Sequence, residues 1–163
     1  MIIQKIRNYG PSTCIGCVTF DSIYYSEKKL ISNVTKMKKR VLVVDDSITA
    51  RSGIVAELKA LDFDVTVAND GFLALYEALK TPVDLIFSDY LMPRLDGYKT
   101  CFILKQHPQY KSVPFVILSA SESMSHRQKA ELMGVDLVVP KTRALGAMAE
   151  VVRVVLPDRE QSE

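Results

Sequence analysis

Histidine and cysteine are scarce in this chain, which excludes several kinds of site. The 163 residues contain two histidines and three cysteines. Three cysteines do not make a disulfide framework, and the C-x-x-C pair of Cys14 and Cys17 has no second pair or nearby histidines to complete a zinc site. The pair also lacks the βαβ context of a thioredoxin-like redox site. We therefore interpret Cys14 and Cys17 as ordinary thiols.

Long apolar runs are also missing. No segment approaches the roughly 18 to 20 apolar residues that cross a bilayer, and the N-terminus lacks the apolar core and cleavage site of a secretory signal. We therefore expect a cytoplasmic protein with no membrane segment. Hydrophobic residues make up 48% and charged residues 25% of the chain, as in a soluble globular protein. The length favours one domain.

No charge of one sign dominates, since the net charge is +2. The distribution is uneven, because residues 1–40 carry eight basic and two acidic residues and the remainder carries 13 basic and 17 acidic residues. The main part of the chain is thus mildly acidic, which argues against a nucleic-acid binder. The basic run at 36–40 has no interleaved aromatic residues, so we interpret it as a solvated linker rather than a membrane or nucleic-acid site.

Residues 1–38 have too few apolar residues at any one period to form a core, and we predict a basic N-terminal extension there. Residues 17–25 have the composition of a strand. The pattern leaves open whether the extension is flexible, forms a packed arm, or is an upstream stretch included by the choice of start codon.

From residue 41 onward, short apolar runs alternate with segments of helical periodicity. The predicted strands are 41–44, 63–67, 83–88, 113–118 and 137–139. The predicted helices are 48–61, 70 to about 80, 98–106, 122–133 and 144–156. Ser47 is a suitable N-cap, Pro82 and Pro108 follow helix ends, and Gly134 is a helix stop. Strands that are apolar throughout and joined by helices indicate an α/β fold with a five-stranded parallel sheet and helices on both faces.

Polar side chains stand where the predicted strands end. Asp45 and Asp46 follow the first strand and Asp89 ends the third, while Ser119 and Lys141 follow the fourth and fifth. Parallel strands end at one edge of the sheet, so we expect these side chains to converge. Three close carboxylates repel one another and favour a bound Mg²⁺. With a lysine and a hydroxyl beside them, they suit phosphoryl transfer to the Asp89 carboxylate.

Each of these residues also has a simpler interpretation. The Asp45–Asp46 pair before a helix is typical of a capping turn, Ser119 of a loop hydroxyl, and Lys141 of a solvated charge. The functional interpretation rests on all of them standing at strand ends in the right order.

From about residue 39 to 156 the chain resembles the receiver domain of bacterial two-component response regulators, especially the single-domain chemotaxis-like type. The resemblance rests on VLVVDDSITAR (41–51), DLIFSDYLMPRLDG (84–97), VPFVILSA (113–120) and GVDLVVPK (134–141). It implies a doubly wound, flavodoxin-like receiver domain at 39–156, followed by a short C-terminal tail at 157–163.

The resemblance also implies a role for each site residue. Asp89 accepts the phosphoryl group, and Asp45, Asp46, Asp89 and the Leu91 carbonyl hold Mg²⁺, Asp45 through a water. Ser119 binds a phosphoryl oxygen, and Lys141 pairs first with the acceptor and then with the phosphoryl group. No other cofactor is implied.

Two positions depart from the family pattern. Thr142 follows Lys141 where the family usually has proline, so we expect no cis peptide there and some other device that fixes the lysine. Val138 stands where the family usually has an aromatic switch residue. Movement of Ser119 and the loop after it remains as a way to alter the surface around the last strand.

The implied partners are a histidine kinase or phosphotransfer protein and a downstream protein target, with no nucleic acid and no membrane. The tail is too short for an output domain, so we expect the signal to leave by protein contact or through the leader, from a monomer or weak dimer. We expect no enzyme beyond phosphotransfer to, and hydrolysis from, its own aspartate.

Two alternatives remain beside this hypothesis. A receiver-fold docking module independent of phosphorylation is one, although every catalytic position is filled. A haloacid-dehalogenase-type phosphatase is the other, but its nucleophile is followed two positions later by a second aspartate, whereas here Ser47 follows Asp45 and Leu91 follows Asp89 at that spacing.

Overall fold

The computed structural model describes residues 38–120 and 124–156. Within these ranges the chain forms five strands, six helices and a 3-10 turn at Pro108–Tyr110. The strands are β1 Arg40–Val44, β2 Asp64–Ala68, β3 Leu85–Asp89, β4 Phe115–Ser119 and β5 Leu137–Pro140. The helices are α1 Ile48–Ala60, α2 Gly71–Lys80, α3 Gly97–Gln106, α4 Met124–Met133, α5 Lys141–Ala144 and α6 Met148–Val155.

The described strands form one parallel sheet in the order β2-β1-β3-β4-β5. All five residues of β3 and all five of β4 are buried, as expected for central strands covered on both faces. Helices α2, α3 and α4 pack on one face of the sheet, and α1, α5 and α6 pack on the other. The predicted α/β architecture, a five-stranded parallel sheet wound on both sides, is therefore confirmed.

Local sequence signals explain where several helices begin and end. Ser47 caps α1, and its hydroxyl accepts the Ala50 N–H at 3.4 Å. Asp70 caps α2 by accepting two backbone N–H groups, which satisfies donors that the first turn leaves unpaired. Gly134 follows α4 with φ +75°, the left-handed conformation that glycine adopts without strain.

Some apolar residues at helical spacing do not face the core. In α1, Ile54 and Leu58 are buried, whereas Ile48 is 71% exposed. In α2 the buried face is formed by Gly71, Ala74 and Ala78. The large side chains of α2 that the periodicity singled out lie partly or largely in solvent, and the most exposed are Phe72, Tyr76 and Leu79. The small residues let this helix approach the sheet closely, so its bulky side chains lie on the sides that face away from the sheet.

The prediction of one continuous last helix at 144–156 is wrong. The chain forms a single helical turn from Lys141 to Ala144 and a separate helix, α6, from Met148. Gly146 lies between them with φ +83°, a conformation that interrupts a right-handed helix.

Several sequence predictions fall outside the described residues. They concern residues 1–37, including the strand-like stretch at 17–25 and the two N-terminal cysteines, residues 121–123 at the predicted start of α4, and the tail at 157–163. Among the helices that the structure describes, none has the length and apolar character to cross a membrane.

Candidate functional site

The acidic residues of the site come from neighbouring strands. Strands β1 and β3 pair in parallel, with Val44 opposite Ser88, so the residues that follow are brought side by side. Asp45 is the first residue after β1, Asp46 is the second, and Asp89 is the last residue of β3. One carboxylate oxygen from each of the three lies within 4.8 Å of the others.

The three acids differ in their exposure. Asp45 is completely buried and Asp89 is 7% exposed, whereas Asp46 is exposed. The Asp45 side chain is fixed on one side by the Ser47 backbone N–H, which donates to its Oδ1 at 2.8 Å. Asp46 therefore lies on the solvent side of the cluster, and Asp45 lies on its buried side with a constrained side chain.

Lys141 joins the two buried acids. Its Nζ donates to Asp45 Oδ2 at 2.8 Å and lies 2.9 Å from Asp89 Oδ2. Burial raises the pKa of Asp89 above its ordinary value, although the Lys141 hydrogen bond and charge oppose this. Burial works to lower the pKa of Lys141, but its bonds to both carboxylates outweigh that effect and raise it. The lysine is thus held as a cation between two carboxylates.

Ser119 and Leu91 lie near Asp89. Ser119 is buried and ends β4, in which Leu118 is paired with Asp89. Ser119 is therefore the residue directly after the one that faces Asp89. The backbone N–H of Leu91 donates to the Asp89 carboxylate and lowers its pKa slightly against the larger effect of burial. The Leu91 side chain is 67% exposed.

Gly97 brings α3 against the end of β3. A Cβ at this position would overlap the Asp89 carbonyl oxygen and would lie 2.9 Å from Ile117 Cδ1 and from Ser88 Oγ. The Gly97 N–H donates to the Tyr90 carbonyl at 3.2 Å and closes the loop after Asp89. The close approach, rather than an unusual φ angle, is what requires glycine here.

The structure answers how Lys141 is fixed without a proline after it. The described residues contain no cis peptide bond, and Lys141 begins the short helix α5, whose Ala144 is buried. Glu57 of α1 accepts the Gly146 N–H at 2.7 Å and the Met148 N–H at 3.4 Å. The segment after Lys141 is thereby anchored to α1. Val138, at the second departure from the family pattern, is half-buried against the core on the sheet face covered by α2, α3 and α4.

Sequence reasoning assigned no role to Arg51, which lies one helical turn after the N-cap of α1. Its guanidinium donates to the Asp45 carbonyl at 2.6 Å and to the Ala68 carbonyl at 3.5 Å. It therefore ties the loop that carries the acids to the end of β2. The spacing of four residues from Ser47 is the signal that points it toward this loop. Glu57 was missed because no local pattern connects it to Gly146.

The donor set suits a small, hard divalent cation. Carboxylate oxygens are the ligands that Mg²⁺ takes from proteins, and it binds through few of them while it keeps several waters. The exposed Asp46 leaves one side of the cluster open to solvent. The residues present therefore fit Mg²⁺.

The sequence matches a known family over most of its length. The family described as "Response regulator receiver domain" matches residues 41–153. The chain belongs to this receiver family. The match covers all five strands of the described sheet, except the first residue of β1.

Individual relatives agree with this assignment. Protein PilG of Pseudomonas aeruginosa is 39% identical over 102 residues, which are 63% of this chain and 76% of PilG. Response regulator MprA of Mycobacterium leprae is 32% identical over 117 residues, 72% of this chain, and the chain spans about half the length of MprA (50%). The structure of the chemotaxis response regulator CheY4 of Vibrio cholerae is 29% identical, with a TM-score of 0.70 over 74% of this chain and 100% of CheY4.

Proposed function

We propose that this receiver domain accepts a phosphoryl group on Asp89 from a histidine kinase or phosphotransfer protein and signals through altered protein contacts. The observation that carries the proposal is the Lys141 ammonium, held within 2.9 Å of both Asp45 and Asp89 beside a third carboxylate. Such a pairing of fixed positive charge with clustered acids favours phosphoryl transfer, because the transferred group carries charge on its oxygens.

Asp89 is the nucleophile in this proposal. An oxygen of its carboxylate forms a bond to phosphorus while the bond between phosphorus and the donor's leaving group breaks, and the leaving group keeps that electron pair. Strand β3 is buried throughout, so the carboxylate is held in one direction during the attack. The Lys141 hydrogen bond and charge favour the ionised carboxylate and so oppose the larger effect of burial, which raises the pKa of Asp89.

Two side chains would stabilise the product. Lys141 can transfer its hydrogen bond from the Asp89 carboxylate to a phosphoryl oxygen, because its second partner, Asp45, keeps it in place. The Ser119 hydroxyl would donate to another phosphoryl oxygen. The phosphoryl group adds a charge of about −1.5 to −2, which attracts both groups toward its oxygens. Their movement would change the surface near β4 and β5.

Asp45, Asp46 and Asp89, with the carbonyl of Leu91, would hold Mg²⁺. When bound, the ion supplies positive charge for the oxygens of the phosphoryl group and of its acceptor. Asp45 would act through a retained water, since its carboxylate already bonds Ser47 and Lys141.

The same proposal covers the division of the chain. We take residues 39–156 as the receiver domain, 1–38 as a basic extension and 157–163 as a short tail. The start of β1 at Arg40 and the end of α6 at Val155 support these bounds. We propose a monomer or weak dimer whose output is a protein target.

Incubation with acetyl phosphate and Mg²⁺, read by intact mass, tests the acceptor. We expect a phosphoryl adduct on the wild type that is absent from Asp89→Asn and absent in the presence of EDTA. Asp84→Asn is the matched control, because Asp84 is exposed and precedes the same strand, and it should be labelled like the wild type. Equal labelling of the wild type and Asp89→Asn would refute the proposal.

A further inference from the structure

The loop that joins β3 to α3 contains a strained turn. The Leu95 N–H donates to the Pro93 carbonyl at 2.8 Å, so Arg94 is the central residue of a three-residue γ-turn. Its φ is +67°, and Asp62 is the other non-glycine residue with positive φ among those that the structure describes. A positive φ at the centre of a γ-turn is rare and costly for a long side chain. Something must hold this turn in place.

The Arg94 side chain reaches across to the start of α2. Its Nη2 pairs with Oδ2 of Asp70, while Oδ1 of the same carboxylate accepts the Phe72 N–H at 2.8 Å and the Leu73 N–H at 3.0 Å. The Asp70 side chain is 2% exposed and that of Arg94 is 63% exposed. An exposed ion pair contributes little, but a buried carboxylate that loses its partner is costly. Loss of Arg94 would therefore be costly, because it leaves the buried Asp70 carboxylate without its charged partner.

The packing around this contact leaves the loop little freedom. A Cβ on Gly71, next to Asp70, would meet the Leu95 carbonyl oxygen at 2.7 Å, so the start of α2 and the loop are in close contact. Met92 and Leu95 are both buried. The loop is thus packed against α2 on one side and continues into Asp89 on the other, and two residues separate Arg94 from Leu91.

We infer that the Asp70–Arg94 pair is a positioning clamp that holds the loop after the phosphoryl acceptor in its metal-binding shape. The inference rests on the proposed function, in which the Leu91 carbonyl is a Mg²⁺ ligand. The Leu91 N–H already donates to the Asp89 carboxylate, so the backbone at Leu91 lies at the acceptor. The clamp acts through this backbone, and neither Asp70 nor Arg94 is itself a ligand.

Charge effects and positioning predict opposite results for the loss of Arg94, which makes the clamp testable. Asp70→Asn removes a negative charge but keeps an N-cap oxygen, since asparagine caps as well as aspartate. Arg94→Met removes a positive charge. If these residues acted only through their electric field, the first change would weaken Mg²⁺ binding and the second would strengthen it. If they form a clamp, both weaken binding, and the double variant is no weaker than either single one.

The measurement is the Mg²⁺ affinity of the unphosphorylated 163-residue chain by isothermal titration calorimetry, with a thermal unfolding scan of each variant. We expect both single variants to bind about tenfold more weakly, the usual effect of losing a group that orients a ligand, and Arg94→Lys to stay near the wild type. Lys99→Met is the matched control, because it breaks the exposed Lys99–Asp96 pair (3.5 Å) at the start of α3 without reaching α2.

Three outcomes would count against the clamp. Opposite shifts in the two single variants, or unchanged affinity in both, would overturn it and leave the proposed function intact. A wild type that binds no Mg²⁺ would overturn the clamp together with the proposed metal site. Should Arg94→Met prove unfolded at the assay temperature, Arg94→Gln, which removes the same positive charge and the same ion pair, replaces it in the comparison with Asp70→Asn.

Discussion

The Lys141 ammonium donates to the buried Asp45 carboxylate at 2.8 Å, although 96 residues separate the two in sequence. The lysine therefore neutralises part of the negative charge that would otherwise attract a divalent cation to these acids. It follows that Lys141 and a bound cation compete for the same negative charge before phosphorylation.

Replacing Lys141 with methionine tests this competition. We expect Mg²⁺ to bind the unphosphorylated Lys141→Met variant more tightly, by about tenfold or about 1.4 kcal/mol, because a like charge next to the ion is removed. Without Mg²⁺ the same variant should unfold at a lower temperature than the wild type, since the close carboxylates lose their counter-charge. Calorimetric titration and thermal unfolding measure the two effects. Lys111→Met, which removes an exposed charge, should change neither, and equal Mg²⁺ affinities would contradict the competition.

The raised pKa of Asp89 predicts a dependence of stability on pH. Burial raises this pKa above its ordinary value of 3.8 despite Lys141, so the folded state binds the proton more readily than the unfolded chain. The contribution of Asp89 to the free energy of unfolding should therefore fall as the pH rises above 3.8, and the Asp89→Asn variant lacks this loss. We expect the two proteins to be similar in acid, with the variant increasingly more stable toward neutrality. Urea denaturation from pH 3.5 to 8 in EDTA, at about half-unit steps, gives the comparison. A constant difference across that range would show that ionisation of Asp89 is not the cause.

Gly97→Ala should destabilise the protein and impair the acceptor. The added Cβ would overlap the Asp89 carbonyl oxygen, and backbone atoms at the end of a central strand cannot move away cheaply. We expect a loss of about 3 kcal/mol in the free energy of unfolding and slower labelling by acetyl phosphate. Gly53→Ala is the matched control, since its Cβ meets the mobile end of Leu145 at 2.8 Å and alanine favours the helix, so its stability should stay within about 1 kcal/mol of the wild type. Equal effects of the two substitutions would argue against the close contact.

The Cys101 thiol should be inert in the folded protein. It is fully buried in α3, and burial raises its pKa from 9.0 to about 12. Because the thiolate is the reactive form, we expect no reaction with a disulfide reagent at pH 8 until the chain unfolds. A Cys14→Ser, Cys17→Ser variant isolates this residue, and its thiol should become titratable in denaturant. Rapid reaction under native conditions would show that α3 opens locally.

Much of the architecture follows from the sequence because strands and helix ends have local signals. The continuous apolar runs identify the buried strands, and residues such as Ser47, Asp70 and Gly134 stand at observed helix ends. The convergence of Asp45, Asp89 and Lys141 follows from the rule that parallel strands end at one edge. These features need no knowledge of side-chain packing.

Features that depend on contacts between distant residues could not be predicted. The Arg94–Asp70 pair joins residues 24 apart, and neither residue has a neighbour in sequence that signals the contact. The burial of Ala74 and Ala78 in place of the bulkier Phe72 and Tyr76 depends on how close α2 lies to the sheet. The break at Gly146 was missed because an isolated glycine is tolerated within a helical pattern.

Strand β3 has a paired neighbour on each side and five buried residues, so Asp89, the proposed acceptor, is attached to one of the most rigid parts of the described structure. A rigid strand cannot move away to make room for the volume and charge of an added group. A phosphoryl group on Asp89 would therefore strain the segments at the edge of the sheet, where the single-turn helix α5 and the loops deform more easily than the central strand.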